Sequence, residues 1–337
     1  MPEASGISTG TLARYLKLGT LQRKSSRLKP LLNDQNKRQR LWFCCSHVDR
    51  SAHAGAQQEF DFFDMFDVVH LDEKWFNADK DRRKVYLTKD EAPEVRRCKS
   101  KRFIPKVMFL AAVARPRWDN ARSCFFDGKI GMWPFVVQVP AARGSRNRPA
   151  GTMVTKVCNV TAEAYRDFVV NKVIPAVKSE MPSTSKCVVL QHDNATPHRS
   201  VDDAVLSPCC TDGWTFRVSC QPPNSPDLNV LDLGFFASIQ ALQYKVSSRS
   251  VDDVIRATLI AFETLSSEKL SDIFLTLQAV MRLVIEHQGS NQFKLPHLGK
   301  NSIRRTRTLM KNVTCPAQLV HTALAQLQYH AAEFQDI

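Results

Sequence analysis

The sequence lacks several features that would place it in a protein class at once. It has no run of about 18 apolar residues, so it predicts no membrane span. Its first segment, MPEASGISTGTLARYLK, has no apolar signal-peptide stretch, which favours a protein kept on the reducing side of the cell. The ten cysteines form no CxxC pair and no Cys/His ladder, so we expect reduced thiols rather than a zinc site. The chain also shows no internal repeat and no long low-complexity tract.

Acidic residues are too few to balance the basic ones. The 337 residues include 47 Lys and Arg against 33 Asp and Glu, a formal net charge of +14. The excess is concentrated in residues 14–50 and 82–106. A solvated charged face is the alternative interpretation, but two dense clusters favour contact with the phosphates of a nucleic acid.

Hydrophobic periodicity indicates an α/β core between two helical regions. Residues 7–17 predict a short helix with Arg14 and Lys17 facing outward, which suits a recognition helix in a DNA major groove or any small surface helix. Residues 18–36 are interpreted as a linker, and most of the chain after about 250 as helical. The other helix candidates span residues 161–181 and 232–246, and the strand candidates span 67–76, 84–88, 105–114, 128–139, 187–193 and 215–219.

Three carboxylates occupy positions at which catalytic or metal-binding side chains often lie. Asp72 and Asp193 each end an apolar strand-like run, and Asp232 opens a helix after a proline-rich loop. Side chains at strand ends and helix starts can converge at one edge of a sheet. Three carboxylates in one pocket would suit a hard cation such as Mg²⁺ or Mn²⁺. Two such ions can activate a nucleophilic oxygen and stabilise the leaving oxygen of a phosphodiester.

Each of these acids has a structural alternative. An Asp at a helix start is often only a cap, which is our interpretation of Asp227 and an open alternative for Asp232. Glu73 competes with Asp72, although its side chain should point to the opposite face of a strand. In QHDNATPH, His198 could touch a substrate phosphate or a metal-bound water, and a structural histidine is at least as plausible.

Three ordered motifs make a family resemblance specific. They are HLDEKWF at 70–76, QHDNATPH at 191–198 and QPPNSPDLNVLDLGFFASIQ at 221–240. Together they resemble the catalytic core of mariner-type DNA transposases, and most of all the plant and oomycete branch. The resemblance covers roughly residues 7 to 300.

The resemblance implies an α/β fold of the ribonuclease H-like, retroviral integrase-like type, with a mixed sheet flanked by helices and with helical N- and C-terminal segments. It places a DDD triad on Asp72, Asp193 and Asp232, which would hold two Mg²⁺ or Mn²⁺ ions. The implied reaction is hydrolysis of phosphodiesters at the element ends, followed by attack of the freed 3′-hydroxyl on target DNA. The implied partners are terminal inverted repeats, target DNA and a second copy of the chain, in the nucleus.

The resemblance also suggests further DNA contacts. Arg14 and Lys17 fall on the matched recognition helix, and the segment 77–104 takes the place of a clamp-like insertion. The remaining candidate phosphate contacts lie in a basic loop and are Arg143, Arg146 and Arg148.

Only the last helix of the family's two helix-turn-helix modules is matched, so we expect a copy truncated at its N-terminus. The predicted domain plan is a remnant of the DNA-binding domain at 1–20, a basic linker and helix at 21–62, the catalytic domain at 63–248 and a helical region at 249–337. A DNA-binding or host-adopted protein that keeps the fold without transposing is one alternative function. A metal-dependent nuclease without joining activity is another.

Overall fold

The computed structural model describes residues 8–21, 28–54, 59–79, 104–144, 146, 148–296, 299–300 and 310–333. The predicted strand at 84–88 and most of the predicted clamp at 77–104 lie outside these ranges. The chain forms two compact units, residues 1–31 and residues 32–337, which are described separately. The predicted domain boundaries stay a prediction.

The first unit contains the predicted N-terminal helix. Helix α1 spans Thr9–Lys17 and begins at Ser8, whose hydroxyl accepts the N–H of Thr11 at 3.2 Å. Arg14 and Lys17 are exposed, as predicted. The helix buries none of its residues.

The second unit is built on a five-stranded mixed sheet, with the order β11-β10-β3-β4-β7. Strand β10 runs parallel to both β3 and β11, whereas β4 runs antiparallel to both β3 and β7. The five strands are β3 Val68–Asn77, β4 Lys106–Ala114, β7 Lys129–Pro134, β10 Cys187–His192 and β11 Thr215–Cys220.

The described residues also form three smaller sheets, with the orders β1-β2-β12, β5-β6 and β8-β9. Their strands are β1 Val48–Ala54, β2 Glu59–Phe62, β5 Arg117–Asp119, β6 Cys124–Phe126, β8 Val136–Pro140, β9 Met153–Val157 and β12 Thr314–Pro316. The predicted strand at 128–139 is therefore two strands in two sheets. They part at Phe135, a buried residue whose N–H donates to the Met108 carbonyl of β4 at 2.9 Å.

The described helices of the second unit cover both faces of the central sheet. They are α2 Asp34–Ser46, α3 Ala162–Phe168, α4 Ile174–Glu180, α5 Asp203–Leu206, α6 Phe236–Gln243, α7 Val251–Thr264, α8 Ser267–Glu286 and α9 Ala317–Glu333. A π-helical turn at Val169–Val173 joins α3 to α4, so the predicted helix at 161–181 is continuous but locally widened. Thr161 caps its start, because its hydroxyl accepts the N–H of Ala164 at 3.2 Å.

Alternation along β4 divides the core into two layers. Val107, Phe109, Ala111 and Val113 face the layer that contains α2, α6, α7 and α8. Leu110, Ala112 and Ala114 face the layer that contains α3 and α4. Both layers are closed, so the sheet is buried on both faces in the manner of an α/β fold.

The described residues also bear on two compositional expectations. No helix within them is long and apolar enough to cross a membrane. Every described cysteine carries a free thiol.

Candidate active site

Strand pairing places Asp72 beside Asp193. Parallel strands β3 and β10 pair Val69 with Leu190 and His70 with Gln191. Two positions further along each strand, the same register reaches Asp72 and Asp193. Two carboxylates 121 positions apart in the sequence are thereby brought to one end of the β3–β10 pair.

Asp72 is buried in the middle of a strand, with 9% of its surface exposed. Its Oδ2 accepts a hydrogen bond from Asn229 Nδ2 at 2.6 Å, and its Oδ1 accepts the Glu73 N–H at 2.7 Å. Burial raises the pKa of the Asp72 carboxyl to about 8, and the negative charges of Asp232, Glu73 and Asp193 add to the rise. The carboxyl therefore lies in a crowded anionic environment that a cation would relieve.

The prediction that Asp72 ends its strand was wrong. Strand β3 continues to Asn77, because β4 pairs with it along its whole length, from Val69–Ala114 to Asn77–Lys106. Only the parallel partner β10 ends at the level of the site.

Asp193 is held by a buried histidine that also binds Glu73. His198 Nδ1 lies 2.5 Å from Asp193 Oδ1, and His198 Nε2 lies 2.9 and 3.1 Å from the two carboxylate oxygens of Glu73. Burial opposes the charged imidazolium, but the two carboxylates outweigh it and raise the pKa of His198 to about 10. Burial also works to raise the pKa of Asp193, and the hydrogen bonds from His198 and the Ala195 N–H turn the net shift downward.

Aromatic stacking keeps His198 in place. Its ring stacks on Tyr165 of α3 with centroids 4.2 Å apart and on His192 with centroids 5.2 Å apart. The Tyr165 hydroxyl lies 3.1 Å from His192 Nδ1. Burial and the neighbouring His198 cation lower the pKa of His192 to about 4, so His192 is neutral and packs against these rings.

Asp232 lies in a π-helical turn, Leu231–Phe235, directly before α6. Such turns are rare and are frequent at functional sites. The carboxylate is exposed and makes no hydrogen bond with any described residue, so it is not a cap there. Partial desolvation raises its pKa, the Lys74 ammonium opposes that rise, and the charge of Asp193 adds to it.

Asp193 and Asp232 line the same cleft, which has a volume of about 550 Å³. Asp72 lies behind the cleft wall, linked to it through Asn229, which is itself a lining residue. Across the described part of the chain, no group of three or more His, Cys, Asp or Glu side chains is arranged to hold a metal ion. The structure thus brings the three predicted acids to one site without gathering their oxygens around one point.

The other predicted residues lie elsewhere. Arg14 and Lys17 belong to the separate N-terminal unit. Arg143, Arg146 and Arg148 are exposed in the loop between β8 and β9.

Asp227 is structural, as predicted, but as an ion-pair partner rather than a cap. Arg40 of α2 donates to its two carboxylate oxygens at 2.6 and 2.7 Å.

Two site residues were not assigned their roles from the sequence. Glu73 was considered only as a competitor of Asp72, and Asn229, in the third motif, was not singled out. Glu73 does lie on the face of β3 opposite Asp72, as alternation predicts, and it returns to the site through His198 of a later motif. Asn229 acts through a contact across 157 positions of sequence, which no local pattern reveals.

Comparisons with known proteins agree with this architecture. No family model and no curated protein matches the sequence. Among solved structures, a pre-cleavage Mos1 transpososome matches with 19% identity and a TM-score of 0.58, over 87% of this chain and 74% of that one. The Mos1 mariner paired-end complex with Mg has the same identity, score and coverage, and the paired-end complex with Mn matches with 20% identity, a TM-score of 0.56, and 87% and 74% coverage. The chain therefore has the α/β, ribonuclease H-like fold of the Mos1 mariner transposase, as the sequence predicted.

Proposed function

We propose that the chain is a mariner-like DNA transposase of the cut-and-paste type, from the plant and oomycete branch, with a DDD triad of Asp72, Asp193 and Asp232. The observation that carries the proposal is that Asp193 and Asp232 line one cleft of a transposase-like fold, with Asp72 joined to the cleft wall through Asn229 and placed beside Asp193 by strand register. The matched Mos1 structures include complexes with a transposon end, with Mn and with Mg.

The donor chemistry of the site fits a divalent cation. Carboxylate oxygens are the ligands that Mg²⁺ and Mn²⁺ prefer, and a cation would offset the repulsion that raises the pKa of Asp72. Asp72, Asp193 and Asp232 are the residues that would hold it. Two such ions supply Lewis-acid activation of the attacking oxygen and stabilisation of the leaving oxygen in phosphodiester chemistry.

The protein's own groups hold those carboxylates in position. Asn229 fixes one oxygen of Asp72, and the His198–Glu73 pair fixes one oxygen of Asp193. Asp232, which makes no hydrogen bond with a described residue, keeps both oxygens available. In the proposed reaction, the site hydrolyses phosphodiesters at the element ends, and the freed 3′-hydroxyl then attacks target DNA.

The partners follow from charge and from the proposed reaction. The net charge of +14 and the exposed loop arginines Arg143, Arg146 and Arg148 suit terminal inverted repeats and target DNA. Arg14 and Lys17, exposed on α1, are proposed to contact DNA as well. We also propose that the chain acts as a homodimer and in the nucleus, where its DNA substrate lies.

Nicking of supercoiled plasmid in Mn²⁺ tests this function. The wild-type protein should nick, and Asp193→Ala and Asp232→Ala should each lower the rate at least about 100-fold, because each removes a carboxylate of the site. Glu163→Gln, an exposed acid on α3 outside the cleft, is the matched control and should nick at the wild-type rate.

A strand-transfer assay on pre-cut 3′-hydroxyl ends separates a transposase from its rivals. Joining supports the transposase. Nicking without joining would identify a nuclease, and DNA binding without either reaction would identify a DNA-binding protein that keeps the fold. Nicking that survives both Asp substitutions would refute the assigned triad.

A further inference from the structure

The cleft that holds Asp193 and Asp232 has a second wall of different chemistry. Around the two carboxylates stand amide side chains, a proline-rich loop and, among the described lining residues, a single Lys or Arg. That residue is Arg199, in the 3₁₀ turn Thr196–Ser200 that also contains His198. A site lined by acids repels an anionic substrate unless a positive charge lies beside them. Arg199 in the cleft wall would supply such a charge.

Arg199 is exposed and makes no hydrogen bond or ion pair with any described residue. This sets it apart from several other arginines of the same unit. Arg115, Arg117 and Arg122 each donate to backbone carbonyls and so help to hold the fold together. Asp193, the nearest acid in its own motif, is already engaged by His198. The Arg199 guanidinium therefore keeps its donors for a ligand in the cleft.

Gln221 contributes a second donor that the fold leaves unused. Its backbone is fully engaged, because its N–H donates to the His192 carbonyl at 2.9 Å and its own carbonyl accepts Asn194 Nδ2. The residue lines the cleft with only 3% of its surface exposed, and its amide nitrogen is buried with no hydrogen-bond partner among the described atoms. Buried polar groups in folded proteins are nearly always paired, so an unpaired donor at a cleft wall points to a ligand.

We infer that Arg199 and Gln221 form a phosphate subsite that binds the backbone of the nucleic-acid strand beside the carboxylates. A guanidinium presents paired N–H donors that match two non-bridging phosphate oxygens, and an amide N–H adds a neutral donor. The subsite deepens the proposed function, on which it rests for the choice of a DNA phosphodiester as its ligand. Its role is to hold the strand against the repulsion of three acids, and neither residue takes part in bond breaking.

Metal-free DNA binding tests the role of Arg199. A labelled 30-base-pair duplex is titrated in EDTA by fluorescence anisotropy, at several salt concentrations. Arg199→Gln should weaken binding about 5- to 10-fold and should lower the salt dependence by about one phosphate contact. The matched control is Arg217→Gln, an exposed arginine of β11 that does not line the cleft, and it should bind like the wild type. Equal affinities and equal salt slopes for the two variants would overturn the inference.

Gln221→Leu separates a ligand-binding role from a structural one. The substitution removes an unpaired buried donor, so a purely structural residue would leave the urea midpoint unchanged or raised and DNA binding unaltered. The subsite requires weaker DNA binding, by about 3- to 10-fold, at an undiminished urea midpoint. Wild-type affinity in Gln221→Leu would remove this residue from the subsite.

The outcomes also distinguish this inference from the proposed function. If the wild-type protein binds the duplex through Arg199 but never nicks or joins DNA, the transposase proposal fails and the subsite stands. If the wild type nicks plasmid and Arg199→Gln nicks with the same KM and kcat, the subsite fails and the transposase proposal stands.

Discussion

At the scale of single residues, the site depends on contacts that lie next to the predicted acids. His198 is the clearest case. The sequence allowed either a phosphate contact or a structural histidine, and the structure places it between two carboxylates, Glu73 and Asp193. The motif QHDNATPH singled out His198, but one of its two partners, Glu73, lies on a strand 125 positions earlier in the sequence.

His70 should make the free energy of unfolding depend on pH. It is fully buried in β3 against Phe274, with ring centroids 5.3 Å apart, and neither ring nitrogen has a hydrogen-bond partner among the described atoms. Burial lowers its pKa from 6.5 to about 3. Below pH 6.5 the His70 imidazole therefore binds a proton in the unfolded chain but not in the folded chain. The free energy of unfolding consequently falls as the pH falls. Between pH 7.5 and pH 5 this loss is about 2 kcal/mol.

Urea unfolding of wild type and His70→Leu at both pH values measures this loss. The variant should be at least as stable as the wild type at pH 7.5, and its advantage should grow by about 2 kcal/mol at pH 5. A stability difference between the two proteins that stays the same at both pH values would show that His70 is not the acid-sensitive group.

At the scale of elements, buried polar contacts fix the loop that leads to Asp232. Arg40 of α2 is fully buried, binds both oxygens of Asp227 and donates its Nε to the Gly289 carbonyl at 2.9 Å. Gly289 has φ +83°, and a Cβ there would lie 2.1 Å from the Lys37 carbonyl, so only glycine lets this chain segment approach α2. Asp227 lies two residues before Asn229, which binds Asp72. This ion pair therefore ties α2 to the site.

Loss of one partner in this pair should be costly. Asp227→Asn leaves the Arg40 cation buried without its counter-charge, and Arg40→Met strands the Asp227 carboxylate, so each should lower the free energy of unfolding by about 3–5 kcal/mol. The double variant Arg40→Met/Asp227→Leu should recover much of that loss. Urea unfolding of the three variants gives the coupling energy, and additive losses would contradict a direct pair.

The sequence predicted most elements but not their limits. Local periodicity located α1, α7, α8 and the strands β10 and β11, because each has its own apolar pattern and end signals. It predicted the span of β3 to within one residue, but it placed Asp72 at a strand end and joined β7 to β8, because the pairing with β4 and the contact of Phe135 with Met108 decide those limits. It also predicted only a basic linker and a helix at 21–62, where the described residues include the strands β1 and β2 of a small sheet.

At the scale of the whole molecule, three ordered motifs were enough to predict the fold. The motifs select the candidate site residues, whereas the sheet order β11-β10-β3-β4-β7 explains why Asp72 and Asp193 lie side by side. That order could not be derived from periodicity, since it depends on β10 inserting between β3 and β11. The convergence of Asp232 on the same cleft likewise depends on the π-helical turn, for which the sequence carries no simple signal.

The central claim is that Asp72, Asp193 and Asp232 hold divalent metal ions, and direct titration with Mn²⁺ tests it most simply. Free Mn²⁺, followed by electron paramagnetic resonance, should reveal two bound ions in the wild type and in the control Glu163→Gln. Asp232→Asn is the sharpest variant, because the Asp232 carboxylate is exposed and makes no hydrogen bond with a described residue, so we expect its loss to leave the fold intact. We predict at least about a 10-fold loss of Mn²⁺ affinity in Asp232→Asn. Binding of Mn²⁺ by Asp232→Asn with wild-type stoichiometry and affinity would contradict the account.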